Sequence, residues 1–210
     1  MTVSVLSISA TEPEPDRIDR AAGVLRAGGV VLFPTDTLYG IAVDPRQEDA
    51  VRRLFEVKGR VEAAAIPLVA ATVEQADAAG VLGPREQTLA RAFWPGPLTV
   101  VVPARPGLAP AVLAGGRTVA VRVPAHRVAR ALAASLGFCV TATSANRSGQ
   151  PPVAHPAELD ADLCARADLI LDAGATPGIA PSTIVELTQA GPRLVRPGAI
   201  AWDRVLESLQ

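Results

Sequence analysis

A short apolar run that ends at a proline and a polar turn most strongly limits how this chain can fold. Val30, Val31 and Leu32 are large or β-branched residues of the kind found in buried strands. Pro34 ends this strand, because proline has no N–H to donate to a neighbouring strand. The turn at 33–40, FPTDTLYG, carries two hydroxyls, a carboxylate and a phenol. Such a cluster is costly at the end of a buried strand unless it binds a ligand or caps nearby backbone groups. The sequence leaves both interpretations open.

The remaining sequence alternates between helical and strand patterns, which predicts an α/β fold with a single mixed sheet. The predicted helices span 17–26, 47–57, 85–93, 127–136, 158–166 and 201–209. The predicted strands span 30–32, 66–70, 98–102, 118–123, 138–142, 169–171, 183–187 and 193–195. Residues 1–16, which include a stiff Glu-Pro-Glu-Pro segment, are expected to form a lead-in to one domain at 17–210.

The composition argues against several classes of protein. Lysine and arginine total 20 and aspartate and glutamate total 21, which gives a net charge of −1. This balance disfavours a general nucleic-acid coat but leaves room for a local basic pocket. Aromatic residues make up 3% of the chain, too few for a base-stacking platform. No apolar run approaches the ~20 residues that span a bilayer, so we expect a cytoplasmic protein with no membrane segment.

The cysteines and histidines suggest neither a metal site nor a covalent catalyst. Cys139 and Cys164 have apolar neighbours and no paired spacing, so we expect free, buried thiols in a reducing compartment. No CxxC or HExxH motif points to zinc. His126 and His155 are in loop-like segments without a Ser or Cys partner, and we expect both to be exposed.

Four further groups of polar residues lie at predicted turns and strand ends. They are Lys58-Gly59-Arg60 after a helix, Arg122 in an apolar strand, TATSAN at 141–146, and Ser182-Thr183 together with Arg196-Pro197-Gly198. Each has an ordinary interpretation, such as a basic helix end, a solvated arginine or a Ser/Thr turn. Taken together, cations and hydroxyls in this number suit the oxygens of phosphate or carboxylate groups.

The order of these motifs resembles that of the YrdC-like family. TDTLYG is followed by KGR, WPGPLT, VRVP, TSANRSGQPP, STIVEL and RPG, between about Val24 and Gly198. The resemblance implies a short, single-domain member with a twisted α/β fold of mixed strands and flanking helices around one large electropositive cavity. It also implies a threonylcarbamoyl-adenylate synthase, which converts L-threonine, bicarbonate and ATP to threonylcarbamoyl-AMP and pyrophosphate. A separate tRNA threonylcarbamoyl transferase complex would use the product at tRNA position 37, with at most weak tRNA contact by this chain.

The resemblance further implies roles for individual residues. Threonine would be bound by Thr35, Tyr39, Arg122 and Ser182. ATP would be contacted by Lys58, Arg60, Thr99, Thr141, Thr143, Ser144, Asn146 and Arg196. The catalytic pair would be Lys58 and Arg60, which offset charge on the leaving pyrophosphate together with the Mg²⁺ that accompanies ATP, with no metal site made by the protein. The chain departs from the family at 61–66, where a usual Lys or Asn is missing and Glu62 adds a negative charge.

Catalysis by positioning and charge neutralisation is therefore our expectation, with no covalent intermediate. Two other functions compete with it. One is a carbamoyltransferase module that forms carbamoyl-adenylate from carbamoyl phosphate. The other is a double-stranded RNA-binding protein without catalysis, which the near-zero net charge disfavours because such affinity comes mainly from phosphate neutralisation.

Overall fold

The computed structural model describes residues 3–59 and 65–210, which form two mixed β-sheets with helices packed against them. The strands are β1 (Ser4–Ser7), β2 (Val31–Pro34), β3 (Tyr39–Ala42), β4 (Leu68–Val69), β5 (Leu98–Pro103), β6 (Thr118–Arg122), β7 (Val140–Thr141), β8 (Thr143–Ser144), β9 (Leu169–Asp172), β10 (Thr183–Thr188) and β11 (Gly191–Arg196). The helices are α1 (Pro15–Arg26), α2 (Glu48–Lys58), α3 (Val73–Ala79), α4 (Pro84–Phe93), α5 (Pro110–Leu113), α6 (Arg127–Leu136), α7 (Ala161–Arg166) and α8 (Trp202–Glu207).

The first sheet contains the apolar run and the polar turn that follows it. Its strand order is β1-β9-β2-β3-β8, with parallel pairing on both sides of β9 and antiparallel pairing on both sides of β3. All four residues of β2 are buried. Pro34 pairs with Tyr39 across the β2–β3 hairpin, so residues 35–38 form the hairpin loop. The polar cluster is thus held at the tip of a hairpin inside the molecule.

The second sheet has the order β11-β10-β5-β6-β4-β7, and its shortest connection to the first sheet runs from β7 to β8. β7 pairs with β4 in the second sheet, and β8 pairs with β3 in the first. Only Ala142 separates β7 from β8, and its N–H donates to the Pro67 carbonyl at 2.8 Å. The hydroxylated TATSAN segment therefore crosses from one sheet to the other, which brings the polar ends of strands in both sheets close together.

Helices α1 and α6 pack against each other and cover the first sheet. The buried face of α1 consists of Ile18, Ala21, Ala22 and Leu25. This spacing of three and four residues is the helical period on which α1 was predicted. Full burial of one leucine side chain contributes roughly 1.5–3 kcal/mol, so this apolar stripe stabilises the helix far more than its intrinsic propensity does.

The α/β class and the mixed strand pairing predicted from the sequence are confirmed, although the strands are divided between two sheets. Residues 4–7, assigned by the sequence to a lead-in, form edge strand β1, whose alternate residues are exposed. The predicted helix at 158–166 is interrupted, because the Asp160 carboxylate caps α7 by accepting from the Leu163 N–H at 2.9 Å. The sequence also missed β3, α3, α5 and β8; β3, α5 and β8 have four residues or fewer.

The predicted free thiols are confirmed, while the histidines differ from expectation. Cys139 is buried, Cys164 is partly buried, and neither forms a disulfide. His155 is exposed as predicted. The prediction for His126 was wrong in part: the residue is half-buried, and its Nδ1 is fully buried without a hydrogen-bond partner among the described residues. Along the described ranges, no helix has the length and apolar character needed to cross a bilayer.

Candidate functional site

A cavity of about 460 Å³ is lined by residues from both sheets. Ten of the twelve side chains that the resemblance assigned to substrates line it: Thr35, Tyr39, Lys58, Thr99, Arg122, Thr143, Ser144, Asn146, Ser182 and Arg196. Thr141 does not line this cavity. Arg60 and residues 61–64, which hold most of the departing segment, lie outside the described residues. Segments that are far apart in the sequence are therefore brought to one place.

The hairpin loop at 35–38 shows the capping that the sequence left open, and its side chains also line the cavity. The Thr35 hydroxyl donates to the Leu38 carbonyl at 2.7 Å and accepts from the Thr37 N–H at 3.2 Å. The two threonine hydroxyls are also 3.0 Å apart. Thr35 and Thr37 both line the cavity, so these side chains stabilise the turn and also face the cavity. Thr37 was not singled out from the sequence, although its place in the same motif was a signal.

Tyr39 is held in the cavity wall by two hydrogen bonds of its hydroxyl. The hydroxyl donates to the Gly174 carbonyl at 2.8 Å and accepts from the Ala173 N–H at 3.2 Å. Burial raises the pKa of Tyr39 to about 12. The phenol is therefore neutral at physiological pH and bound to the loop after β9, which makes Tyr39 a rigid part of the wall and a poor acid or base.

Lys58 connects the end of α2 to the loop after β8. Its ammonium donates to the carbonyl oxygens of Ser144 at 2.6 Å and Asn146 at 3.2 Å. Gly59 ends the helix in the left-handed region, with φ of 63°, a conformation that glycine adopts without steric cost. The Lys58 carbonyl in turn accepts from the Ser148 N–H at 3.0 Å. Lys58 and the TSAN motif are thus one structural unit, although they are more than 80 residues apart.

Arg122 lies at the end of β6 and forms a buried ion pair. Its Nη1 donates to Asp36 Oδ1 at 2.9 Å, and both residues are 7% exposed. Burial lowers the pKa of the Arg122 guanidinium, and the Asp36 charge opposes this effect. The sequence left open whether Arg122 would face water or an anion. The structure places it in the cavity wall with a protein carboxylate on one side.

Ser182, Arg196 and Thr99 form a further part of the cavity wall. The Ser182 and Thr99 hydroxyls are 2.8 Å apart, and Arg196 donates to the Ser182 carbonyl at 2.7 Å. Arg196 is exposed at the rim of the cavity. Partial desolvation of its guanidinium and repulsion by Arg122 lower its pKa. A Cβ on Gly198 would lie 2.5 Å from the Thr183 nitrogen. Only glycine therefore lets the RPG turn approach Ser182 this closely.

Thr141 bonds the two sheets to each other. It is completely buried, and its hydroxyl accepts from the Val43 N–H at 2.8 Å and donates to the Ile41 carbonyl at 3.2 Å. The hydroxyl therefore acts as donor and as acceptor, and its two partners are in β3 and in the residue after it. Thr143, two residues later, lines the cavity.

Within residues 3–59 and 65–210, no three His, Cys, Asp or Glu side chains are grouped so that they could hold a metal ion. Asp36, the carboxylate next to the cavity, is already bonded to Arg122 and to the Ala125 N–H. The lining is rich in cations and hydroxyls, a donor set suited to anionic oxygens.

Comparison with known proteins gives consistent matches over most of the chain. Residues 23–198 match the model of the Sua5_yciO_yrdC family, described as "Telomere recombination". The threonylcarbamoyl-AMP synthase of Pyrococcus abyssi is 38% identical, over 90% of this chain and 56% of the relative. That of Bacillus subtilis is 36% identical, over 94% of this chain and 57% of the relative. That of Thiobacillus denitrificans is 40% identical, over 78% of this chain and 87% of the relative.

Solved structures give the same picture. P. abyssi Sua5 in complex with L-threonine is 35% identical and superposes with a TM-score of 0.91, over 97% of this chain and 60% of that one. Escherichia coli YciO, 24% identical with a TM-score of 0.85 over 95% of this chain and 97% of that one, shares the fold. The chain spans little more than half the length of the first two curated relatives.

Proposed function

This chain belongs to the Sua5_yciO_yrdC family, and we propose that it forms threonylcarbamoyl-AMP and pyrophosphate from L-threonine, bicarbonate and ATP. Three relatives that are 36–40% identical to it are named threonylcarbamoyl-AMP synthases, which supports this activity. The crystal structure of P. abyssi Sua5 contains L-threonine, which supports the same amino acid as a substrate here.

The observation that carries the proposal is the convergence of three cations on one cavity. Lys58, Arg122 and Arg196 come from three distant segments and line the same space in a chain whose net charge is −1. The positive charge is therefore a local property of the cavity, where the low dielectric strengthens its effect on an anion. An amino-acid carboxylate and a triphosphate are the two anionic groups that this reaction must hold side by side.

We propose that threonine is bound at the hairpin loop and Arg122. The hydroxyls of Thr35 and Thr37 lie on this side, and the guanidinium can grip a carboxylate in bidentate fashion. The triphosphate is assigned to the side formed by Lys58, Thr143, Ser144 and Asn146, with Arg196 and Thr99 near the nucleotide. Mg²⁺ is assigned to the substrate as MgATP.

The chemistry proposed needs no residue as a nucleophile. The threonine amine and bicarbonate condense to a carbamate with loss of water, and a carbamate oxygen attacks the α-phosphorus of ATP. The bond from the α-phosphorus to its bridging oxygen breaks, and pyrophosphate leaves. The protein holds the reactants in line, which contributes roughly 7–11 kcal/mol to such reactions, and its cations offset the charge on the leaving group. Lys58 is assigned this role from its position, and Arg60 from the sequence motif alone.

Cys139 and Tyr39 illustrate why a covalent mechanism is disfavoured. Burial raises the pKa of the Cys139 thiol to about 12, and this residue does not line the cavity. The Tyr39 hydroxyl is engaged in two hydrogen bonds to the chain. Neither group offers a reactive anion near the substrates at neutral pH. Transfer of the product to a tRNA-modifying complex and a cytoplasmic location remain predictions.

The decisive experiment is mass spectrometry of the protein incubated with MgATP, L-threonine and ¹³C-bicarbonate. We expect threonylcarbamoyl-AMP whose mass is one unit higher than with ordinary bicarbonate, together with pyrophosphate. Omission of threonine should abolish both products. A product that requires carbamoyl phosphate would identify the carbamoyltransferase alternative instead. Retention of double-stranded RNA with a steep salt dependence and no ATP consumption would identify the RNA-binding alternative.

A further inference from the structure

Asp36 is a buried carboxylate in the hairpin loop that was assigned to no substrate. It is 7% exposed and is not among the residues that line the cavity. One carboxylate oxygen accepts from Arg122 Nη1 at 2.9 Å, and the other accepts from the Ala125 N–H, also at 2.9 Å. Asp36 therefore lies behind Arg122 as seen from the cavity and ties the loop to the segment after β6.

Arg122 has more hydrogen-bond donors than Asp36 uses. A guanidinium carries five N–H groups in a planar fork. Over the described ranges, 3–59 and 65–210, the Asp36 carboxylate is the one group to which this guanidinium donates. Because Arg122 also lines the cavity, its remaining donors are available to an anion there.

We propose that Asp36 is a positioning residue, which orients Arg122 so that its free donors bind the α-carboxylate of the amino-acid substrate. The inference rests on the proposed function, because it takes L-threonine as the ligand of Arg122. Under this proposal, the Asp36–Arg122 pair selects substrates that carry a carboxylate at this position.

The energetics of a buried ion pair favour a role in which Asp36 orients Arg122 over a role in which it only attracts the guanidinium. A buried arginine without a counter-charge is costly, and burial lowers the pKa of Arg122 while Asp36 raises it. Asp36 thus supplies the counter-charge that a buried guanidinium needs. The Ala125 N–H fixes the second carboxylate oxygen, so the carboxylate cannot rotate away from Arg122. Bidentate recognition depends on the angle of the guanidinium plane, and this arrangement sets that angle.

The test compares L-threonine with L-threoninol, which lacks the carboxylate, in wild-type protein and in Asp36→Asn. The asparagine keeps the size of the side chain and an oxygen for the Ala125 N–H, but places an amide where Arg122 needs an acceptor. We expect calorimetry to show L-threonine binding at least tenfold weaker in the variant, with threoninol binding within twofold of wild type. The KM for threonine should rise in parallel, and the KM for ATP should stay within twofold.

Asp44→Asn is the matched control. Asp44 is 2% exposed, does not line the cavity, and bonds a backbone N–H at 3.0 Å and the Arg46 guanidinium at 2.7 Å. Like Asp36, Asp44 is a buried carboxylate that accepts from a backbone N–H and from an arginine, but it lies outside the cavity lining. We expect Asp44→Asn to lower the melting temperature and to leave threonine binding unchanged. We also expect Asp36→Asn to have no further effect on threonine binding in an Arg122→Lys background, because the two residues act as one unit.

Three results would overturn the inference: unchanged threonine binding in Asp36→Asn, equal weakening of threonine and threoninol, or equal weakening of threonine in Asp44→Asn. If Asp36→Asn does not fold, Asp36→Glu, which keeps the charge but displaces it by one methylene, must weaken threonine binding at a constant KM for ATP. Wild-type protein that neither binds threonine nor makes threonylcarbamoyl-AMP would remove the proposed function and the inference together. An active wild type with unaffected Asp36 variants would remove the inference alone.

Discussion

The ammonium nitrogen of Lys58 lies 2.6 Å from the carbonyl oxygen of Ser144, so a charged hydrogen bond joins the end of α2 to the end of β8. Lys58 is the one lysine in a sequence that has 20 lysines and arginines. A compact ammonium with three donors suits the closely spaced carbonyl oxygens of Ser144 and Asn146, whereas a guanidinium is larger and planar. The use of lysine at this position therefore has a geometric reason.

Replacement of Lys58 by either Arg or Met should lower kcat/KM for ATP by about 10²-fold or more, because each variant loses a preorganised donor at the phosphate side. The measurement is pyrophosphate release at varied ATP. Arg52→Met is the control: Arg52 lies on the same helix and pairs with Glu48 at the surface, so we expect activity within twofold of wild type. Near-normal activity of Lys58→Arg would show that charge alone is sufficient.

Tyr39 gives a direct test of burial at the cavity wall, because it is the single tyrosine of the chain. Absorbance at the phenolate band should titrate with a midpoint of about 12 in the folded protein and near the ordinary value of 10.0 in denaturant. A folded-state midpoint near the ordinary value would mean that the phenol is exposed.

The same shift predicts how stability depends on pH. The folded state holds the Tyr39 proton more tightly than the unfolded chain, so its contribution is complete below pH 10.0 and is lost as pH rises towards about 12. Urea unfolding across this range should show the decline, and Tyr39→Phe should make it shallower. Burial also raises the pKa of Cys139 to about 12, so a residual slope of the same sign should persist in the variant.

Thr141 and Thr143 should respond differently to replacement by valine. Thr141→Val removes the acceptor of the buried Val43 N–H and should cost about 1–3 kcal/mol of stability, with the KM for ATP unchanged. Thr143→Val should raise the KM for ATP with a smaller loss of stability, because this side chain lines the cavity. Urea denaturation and steady-state kinetics separate the two effects. A raised KM for ATP in Thr141→Val would show that Thr141 contributes to nucleotide binding.

Gly198→Ala should displace the RPG turn and lower activity. The new Cβ would lie 2.5 Å from the Thr183 nitrogen, so the turn and Arg196 must move away from Ser182. We expect at least a tenfold loss of kcat/KM and a lower melting temperature. Gly23→Ala is the control: this exposed helical glycine has nothing within 4 Å of its added Cβ, and the change should stabilise the protein by roughly 0.5–1 kcal/mol. Full activity in Gly198→Ala would exclude Arg196 from the site.

Much of the fold could be predicted from local pattern alone. The helical period of Ile18, Ala21, Ala22 and Leu25 identified α1, and the apolar run before Pro34 identified β2, because burial imposes these periods on the sequence. Short elements such as β1 and α5 were missed, because four residues carry too little periodicity to differ from a loop. The division into two sheets depends on which strands pair, and no local pattern records that.

The sequence by itself determined which residues could serve the site, because cations, hydroxyls and glycines in a specific order are readable as motifs. The tertiary structure decided which of them meet. It set Asp36 behind Arg122 and turned Thr141 towards β3 while Thr143 faces the cavity. The physical reason is that a hydrogen bond between residues some 86 positions apart depends on the path of the whole chain. A motif specifies the chemical groups, and only the packing of two sheets specifies their partners.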